Sequence, residues 1–286
     1  RWNIKMIRNF YHNYQDGGNP RMNSASKKAI LVVSFGTSYE NTRKLTIEAI
    51  EHDIADAFPA CPTYRAWTSK MIIAKLKKRD GLTIHTVKEA LEQMLLDGIT
   101  DVIVQPTHVI NGIENDQMKA DALSFRDRFS SIVFGNPLLT TEEDNQAIVR
   151  VVADEFRDMD PDTALVLMGH GTEHYANTVY AALDYRFKDT GHKNIFLGTV
   201  EAYPALDSLL RAADSFHPKK IVLAPFMIVA GDHAQNDLAG ADPDSWMNRL
   251  SSEGYEVTPV LKGLGEYPQV RQILVEHVQQ AMNASI

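Results

Sequence analysis

Short apolar runs alternate with amphipathic stretches from residue 28 to the end of the chain. The amphipathic stretches have helical periodicity, and near-continuous Val/Ile/Leu runs between helices are typical of parallel sheets covered on both faces. The pattern therefore predicts an α/β fold with doubly wound parallel sheets. The predicted strands are Ala29–Phe35, Asp101–Gln105, Ser131–Phe134, Ala164–Met168, Ile195–Val200, Ile221–Phe226 and Glu256–Leu261. The predicted helices are Asn41–Ala57, Thr86–Asp97, Gln117–Arg128, Glu142–Arg157, Asn177–Phe187, Ala205–Ser215, Ser245–Ser252 and Tyr267–Met282.

The two halves of the chain resemble each other. Ala29–Thr37 lines up with Ala164–Thr172, and Asp101–Glu114 lines up with Lys220–His233, each as an apolar strand followed by the same turn residues. We therefore predict two similar lobes, 27–138 and 139–286, joined near residues 137–141, with the last helix packing back on the N-terminal lobe. Ligands of open α/β sheets bind beyond the carboxyl ends of the strands, so the site is expected in the cleft between the lobes.

Two local features concern the ends of these lobes. The spacing of Thr140 and Glu143 predicts a capping box before the helix that begins the second lobe. Residues 1–26 lack apolar periodicity and are predicted to be a leader or disordered segment, with 1–21 interpreted as an expression leader and native sequence starting near Met22. No window approaches the ~20 apolar residues of a membrane span. We expect a cytoplasmic protein, or a periplasmic one if a signal peptide was removed.

The composition limits the partners, metal sites and cofactors that the chain can have. With 286 residues, 44% hydrophobic and 23% charged, the chain is typical of soluble globular proteins, and its net charge of −8 argues against binding to nucleic acid. The single cysteine, Cys61, excludes an intrachain disulfide and a cysteine-rich metal site, so a metal must be bound by carboxylates and some of the ten histidines. No glycine-rich nucleotide motif, Gly-x-Ser-x-Gly elbow or His-Glu-x-x-His pattern is present, and we expect no nucleotide cofactor.

Three residues of the second lobe follow successive predicted strands. They are His170, Glu201 and His233, separated by 31 and 32 residues, about one strand–helix–strand unit each. The strands should therefore present them at one edge of the sheet, where two imidazoles and a carboxylate suit divalent cobalt, iron, nickel or zinc. A single histidine after a strand is more often structural, and it is the shared placement that favours metal binding.

The first lobe lacks these ligands. Phe35 stands in the position of His170, and Glu114 stands in that of His233, so this lobe offers an apolar face and a carboxylate across the cleft. We interpret His174 as a loop residue and His108 as a packing residue. The remaining histidines, His52, His85, His192, His217 and His277, are predicted to be solvated.

Four motifs carry a resemblance to a known family. Ser34–Ser38, Met168–Thr172, Gly198–Glu201 and Val229–Asp237 resemble the anaerobic-type (class II) cobalt chelatases of cobalamin biosynthesis, which are similar in fold to ferrochelatase. The resemblance covers residues 28 to about 282. It implies insertion of Co²⁺, as a substrate, into the tetrapyrrole sirohydrochlorin. It also implies that His170, Glu201 and His233 are the metal ligands and Glu114 a functional acid. Some relatives are periplasmic and handle iron or haem.

Metal insertion requires that two pyrrole N–H protons leave and that the ring bends to expose its nitrogens. His170 is the candidate general base because imidazoles exchange protons near neutral pH, while Glu201 and His233 would hold the metal and Glu114 would carry protons or guide the ion. The substrate-binding candidates are Phe35, Thr37, Ser38 and Arg43, and the basic residues Lys44, Lys70 and Lys75 are equally well explained as a solvated face.

Two alternatives stay open at this point. One is ferrochelatase-type or nickel insertion into a related tetrapyrrole, because the ligand types suit several divalent ions. The other is a non-catalytic tetrapyrrole or metal carrier that uses the same cleft. The sequence also leaves open whether the chain forms a homo-oligomer.

Overall fold

Two parallel sheets of four strands each form the centre of the molecule, whose computed structural model describes residues 27–284. The first sheet has the order β2-β1-β3-β4 and the second the order β6-β5-β7-β8, so the two repeat one topology. This confirms the predicted α/β class with two similar lobes. The strands are β1 (Lys28–Ser34), β2 (Thr63–Trp67), β3 (Asp101–Pro106), β4 (Ser131–Phe134), β5 (Thr163–Gly169), β6 (Ile195–Thr199), β7 (Lys220–Pro225) and β8 (Glu256–Pro259).

Helices cover the sheets and connect the parallel strands. Among the described residues, no helix combines the length and the apolar character that crossing a bilayer requires. The α-helices are α1 (Glu40–Leu45), α2 (Ile47–Ala57), α3 (Lys70–Asp80), α4 (Val87–Leu96), α5 (Ile113–Leu123), α6 (Glu142–Glu155), α7 (Thr178–Asp189), α8 (Leu206–Asp214), α9 (Trp246–Ser252) and α10 (Pro268–Ala284). One π-turn, Ala234–Leu238, follows β7.

The largest hydrophobic cluster contains residues of both lobes. It joins Ile30 of β1 to Leu165 of β5 and includes Leu274 and Val278 of α10, all of them buried. Helix α10 packs against α2 and β3 of the first lobe, and Arg271 of α10 forms an ion pair with Asp53 of α2 at 2.6 Å. The last helix of the chain therefore ties the second lobe to the first, while the division of the chain at residue 138 stays a prediction.

Several element boundaries differ from the predictions. The periodicity missed β2 and α3, because β2 mixes polar and apolar residues at the sheet edge and α3 buries only Leu76. The predicted helix 41–57 is divided at Thr46, whose ψ of −79° lies outside the helical range. The predicted helix 117–128 instead begins at Ile113 and ends at Leu123.

Two predictions at the start of the second lobe and in the last helix are wrong. The capping box before α6 uses Thr141 and Asp144 rather than Thr140 and Glu143, with a 2.8 Å bond from the Thr141 amide to the Asp144 carboxylate. His277 is buried rather than solvated, and its ring nitrogens lie 2.9 Å from the Asn136 carbonyl and 2.9 Å from the Asp144 carboxylate. A periodic pattern predicts a helix but not which polar residue on it has a buried partner. The predicted leader, 1–26, lies outside the described residues.

Candidate metal site

Three neighbouring strands of the second sheet bring the predicted trio together. His170 directly follows β5, Glu201 lies two residues beyond β6, and His233 precedes the π-turn after β7. Because β5 lies between β6 and β7, the three side chains meet at the carboxyl edge of the sheet. One potential ligand atom from each residue lies within 4.8 Å of the other two. We define this group as the metal trio.

The Glu201 carboxylate lies close to both imidazoles of the metal trio. The Glu201 carboxylate has one oxygen 3.6 Å from His170 Nδ1 and the other 3.9 Å from His233 Nε2. The two imidazole rings meet edge to face, with centroids 4.5 Å apart and an interplanar angle of 90°. The side chains are 37%, 52% and 33% exposed for His170, Glu201 and His233, so the site is open to solvent and to a ligand.

Glycines let the loops after β5 and β6 approach each other. Gly171 has a φ of +87°, and a Cβ at this position would lie 2.9 Å from both the Ala202 amide nitrogen and the Thr199 side chain. The loops are joined directly by the Glu201 amide, which donates to the His170 carbonyl at 2.9 Å. A side chain at 171 would therefore move His170 away from Glu201.

Each imidazole of the metal trio has one nitrogen held by the protein. His170 Nδ1 lies 2.8 Å from the Gly171 carbonyl, and His233 Nδ1 lies 2.6 Å from the Asp237 carboxylate. Both acceptors require a proton on Nδ1, so Nε2 carries the lone pair in each neutral ring. Sequence reasoning did not assign a role to Asp237, although its spacing of four residues from His233 is a signal for a contact across one helical turn.

The loop after β1 reaches across to the loop that carries His233. The Tyr39 hydroxyl donates to Asp232 at 3.3 Å, and Thr37 Oγ1 lies 3.4 Å from the position that a Cβ of Gly231 would occupy. Burial and the neighbouring Asp232 charge raise the pKa of Tyr39. Of the predicted substrate-binding residues, Thr37 and Ser38 are buried in this loop, while Phe35 at its start is 44% exposed.

Glu114 stands at the start of α5 in the first lobe. Burial raises the pKa of Tyr180, and the charge of Glu114 also raises it. Tyr180 packs against Gly169 at the end of β5. Glu114 therefore acts electrostatically on a side chain that packs at the end of the strand that carries His170. It also acts on His108, whose pKa burial lowers to about 4 while Glu114 opposes the shift. Part of His108 is exposed, yet both ring nitrogens are buried and without a hydrogen-bond partner among residues 27–284.

The predicted basic residues have different surroundings. Arg43 is 11% exposed and forms an ion pair with Glu48 at 2.9 Å, so most of its guanidinium is covered. Lys44 pairs with Glu40 at 2.7 Å, and Lys70 and Lys75 are exposed on α3. A contact of these residues with an anionic substrate stays a prediction.

His174 belongs to a contact between the lobes. Its Nε2 lies 3.3 Å from the Asp116 carboxylate of α5, and its Nδ1 accepts from the Ala176 amide at 3.2 Å. Beside this pair is a cavity of about 600 Å³. Its lining includes Ile110, Leu139 and Tyr175 but no residue of the metal trio, so this cavity is distinct from the metal trio.

Comparison with known proteins identifies the same family that the sequence motifs resemble. Residues 28–283 match the family described as cobalt chelatase (CbiK). A sirohydrochlorin cobaltochelatase from Salmonella typhimurium is 39% identical over 260 residues, which cover 91% of this chain and 98% of that protein. The sirohydrochlorin cobaltochelatase CbiKC from Nitratidesulfovibrio vulgaris is 32% identical over 266 residues, covering 91% and 92%. The structure of SirB from Bacillus subtilis with Fe³⁺ superposes with a TM-score of 0.60 at 13% identity, covering 91% and 97%, and shows a shared fold.

Proposed function

The chain belongs to the cobalt chelatase family, and from this premise we propose that it is a sirohydrochlorin cobaltochelatase, which inserts Co²⁺ into sirohydrochlorin. The similarity to the Salmonella typhimurium enzyme extends over nearly the full length of that protein. The observation that carries the proposal is the metal trio, since its three ligand atoms from adjacent strands lie within 4.8 Å of one another. Two imidazoles and one carboxylate that leave further coordination positions open suit a borderline divalent ion such as Co²⁺.

In the proposed reaction, Co²⁺ and the tetrapyrrole are both substrates. The incoming ion binds to the metal trio, where the Glu201 carboxylate lies between the two imidazoles. Insertion replaces two pyrrole N–H protons by one Co²⁺, so the total charge is conserved when both protons leave the ring. His170 accepts a proton through Nε2, since its Nδ1 is held by the Gly171 carbonyl.

Glu114 is the proposed second proton carrier. It belongs to the first lobe and lies near Tyr180, which packs beneath the strand end that carries His170. Because Glu114 is not part of the metal trio, it can receive a proton without competing for the ion. Phe35 supplies exposed apolar surface at the equivalent strand end of the first lobe, which suits the face of a macrocycle.

Incubation of the protein with sirohydrochlorin and Co²⁺, followed by absorbance against a control without enzyme, tests this proposal. We expect multiple turnovers at a rate well above the spontaneous one. Parallel reactions with Fe²⁺ and Ni²⁺ rank the ions by kcat/KM, and a preference for either would replace cobalt insertion by the corresponding activity. Stoichiometric binding of tetrapyrrole or metal without turnover would indicate a carrier and refute the proposal.

A further inference from the structure

The π-turn after β7 places a carboxylate behind one ligand of the metal trio. Asp237 Oδ2 lies 2.6 Å from His233 Nδ1, on the opposite side of the ring from the Nε2 that faces Glu201. This distance is that of a strong, charge-assisted hydrogen bond when Nδ1 carries the proton. Nothing in the proposed reaction requires Asp237 to contact the metal or the tetrapyrrole directly.

The turn that carries Asp237 is held firmly in place. Its first and last residues, Ala234 and Leu238, are both fully buried. Gly240 lies so close that a Cβ there would be 2.3 Å from the Asn236 carbonyl oxygen, which leaves no room for a side chain. The position of Asp237 relative to His233 is therefore set by packed backbone rather than by a mobile surface loop.

The two imidazoles of the metal trio are supported differently. His170 Nδ1 is within hydrogen-bond distance of a neutral backbone carbonyl at 2.8 Å, with the Glu201 carboxylate farther away at 3.6 Å, whereas His233 Nδ1 is within hydrogen-bond distance of a carboxylate at 2.6 Å. A carboxylate at Nδ1 fixes the tautomer with the lone pair on Nε2, restricts ring rotation and makes Nε2 a stronger donor to a cation. We propose that Asp237 is a positioning residue that keeps His233 Nε2 directed at the metal and strengthens Co²⁺ binding, an inference that rests on the proposed function.

Calorimetric titration of the protein with Co²⁺ alone, without tetrapyrrole, tests the inference. Asp237→Ala should weaken Co²⁺ affinity by about 10- to 100-fold, the usual effect of losing such a partner. Asp237→Asn should lose less, because its amide oxygen still accepts from Nδ1. In turnover, the KM for Co²⁺ should rise while the KM for sirohydrochlorin stays within twofold. An unchanged Co²⁺ affinity in folded Asp237→Ala would overturn the inference. If that variant does not fold, an unchanged affinity in Asp237→Asn would do so.

The chain offers a matched control. His52 and Asp56 also form a pair four residues apart, at 3.3 Å, but on the exposed surface of α2. Asp56→Ala should leave Co²⁺ affinity and turnover unchanged, whereas an effect equal to that of Asp237→Ala would show that the assay reports surface charge.

A double-mutant cycle separates positioning from a general structural role. If Asp237 acts through His233, adding Asp237→Ala to His233→Ala should weaken Co²⁺ binding no further. Additive losses would contradict the inference. Because the titration contains no tetrapyrrole, a wild-type protein that binds Co²⁺ but does not insert it would refute the proposed function without deciding this test.

Discussion

In the proposed mechanism, His170 both binds the ion and accepts a proton. Its Nδ1 is committed to the Gly171 carbonyl, so both tasks fall to Nε2, which must accept the proton before or after it contacts the metal. The side chain is 37% exposed and so contributes less to packing than a fully buried one. The residue is therefore expected to matter for the reaction far more than for the fold.

His170→Ala should lower kcat for cobalt insertion by at least about 100-fold, in the range that general-base removal produces. The melting temperature should change little because the side chain is partly exposed. Added imidazole should restore part of the rate by replacing the missing base. The exposed His52→Ala variant is the control, and a His170→Ala enzyme with the wild-type rate would refute the assignment.

The burial of the His108 ring nitrogens predicts how the free energy of unfolding changes in acid. Its pKa is about 4 in the folded protein, because its ring nitrogens are buried, against an ordinary value near 6.5 in the unfolded chain. Between these values the unfolded chain binds the extra proton, so the free energy of unfolding must fall as pH decreases from 6.5 to 4. The contribution of His108 is at most about 3.5 kcal/mol, since one pKa unit corresponds to ~1.4 kcal/mol.

Urea unfolding of the wild type and His108→Leu at several pH values between 7 and 4 measures this contribution. The difference in unfolding free energy between the two proteins should shift in favour of the variant as the pH falls. Parallel curves for the wild type and His108→Leu would mean that His108 does not titrate as described.

At the scale of elements, burial explains which strands are clearest in the sequence, although the edge strands β4 and β8 were also predicted without a buried residue. Central strands such as β1 and β5 are apolar throughout because both of their faces are covered, and such runs are readable in a sequence. The edge strand β2 has only two of its five residues buried, so its pattern is diluted by polar residues. Helix α3 was missed in the sequence for the same reason, because Leu76 is its one buried residue.

The metal trio could be predicted from the sequence because of the sheet topology. Parallel strands end at the same edge of a sheet, so polar residues that follow successive strands are neighbours in space. Asp237 and His277 could not be assigned in this way, since their partners depend on a π-turn and on contacts between α10 and α6. The four-residue spacing of Asp237 from His233 indicates a contact only where the segment is helical, and helical periodicity says nothing of the partners of His277.

The capping box of α6 supports a prediction at this scale. Thr141 accepts from the Asp144 amide at 3.1 Å, and Asp144 accepts both from the Thr141 amide and from buried His277. Thr141→Ala should therefore cost about 1 kcal/mol of unfolding free energy. Asp144→Ala should cost about 2–3 kcal/mol, because it also leaves the His277 ring nitrogen without its partner.

Urea unfolding at pH 7 measures both losses. Glu143→Ala serves as the control, because Glu143 is exposed in the same helical turn and should change stability by less than about 0.5 kcal/mol. A loss for Glu143→Ala equal to that for Asp144→Ala would show that the capping box has been assigned to the wrong acid.

In the whole molecule, the two sheets share one topology but have different residues after equivalent strands. The β5 end carries His170 where the β1 end carries Phe35, and the segment after β7 carries His233 where the one after β3 carries Glu114. The proposed mechanism uses this asymmetry, because in it one lobe holds the ion while the other accepts the macrocycle and protons. The lobes are joined at the cleft by the Tyr39–Asp232 and His174–Asp116 contacts.

The lobes are also joined by one hydrophobic cluster, and this predicts how the molecule unfolds. The cluster contains residues of β1, β5 and α10, so neither lobe can lose its packing without exposing apolar surface of the other. Trp67 in β2 and Trp246 in α9 are buried reporters of the first and second lobes, and the third tryptophan, Trp2, can be replaced by Phe. Replacing Trp2 and one of the two buried tryptophans by Phe gives two single-tryptophan proteins. One reports on the first lobe through Trp67, and the other reports on the second lobe through Trp246.

The fluorescence of the two proteins should give coincident urea transitions, as expected for one cooperative unit. Leu274→Ala in α10 should lower the midpoints of both transitions together, at a cost of about 2–5 kcal/mol for a buried leucine. Leu96→Ala is the control, because Leu96 is 82% exposed. Separate transitions, or a Leu274→Ala effect confined to one reporter, would show that the lobes unfold independently and that α10 does not couple them.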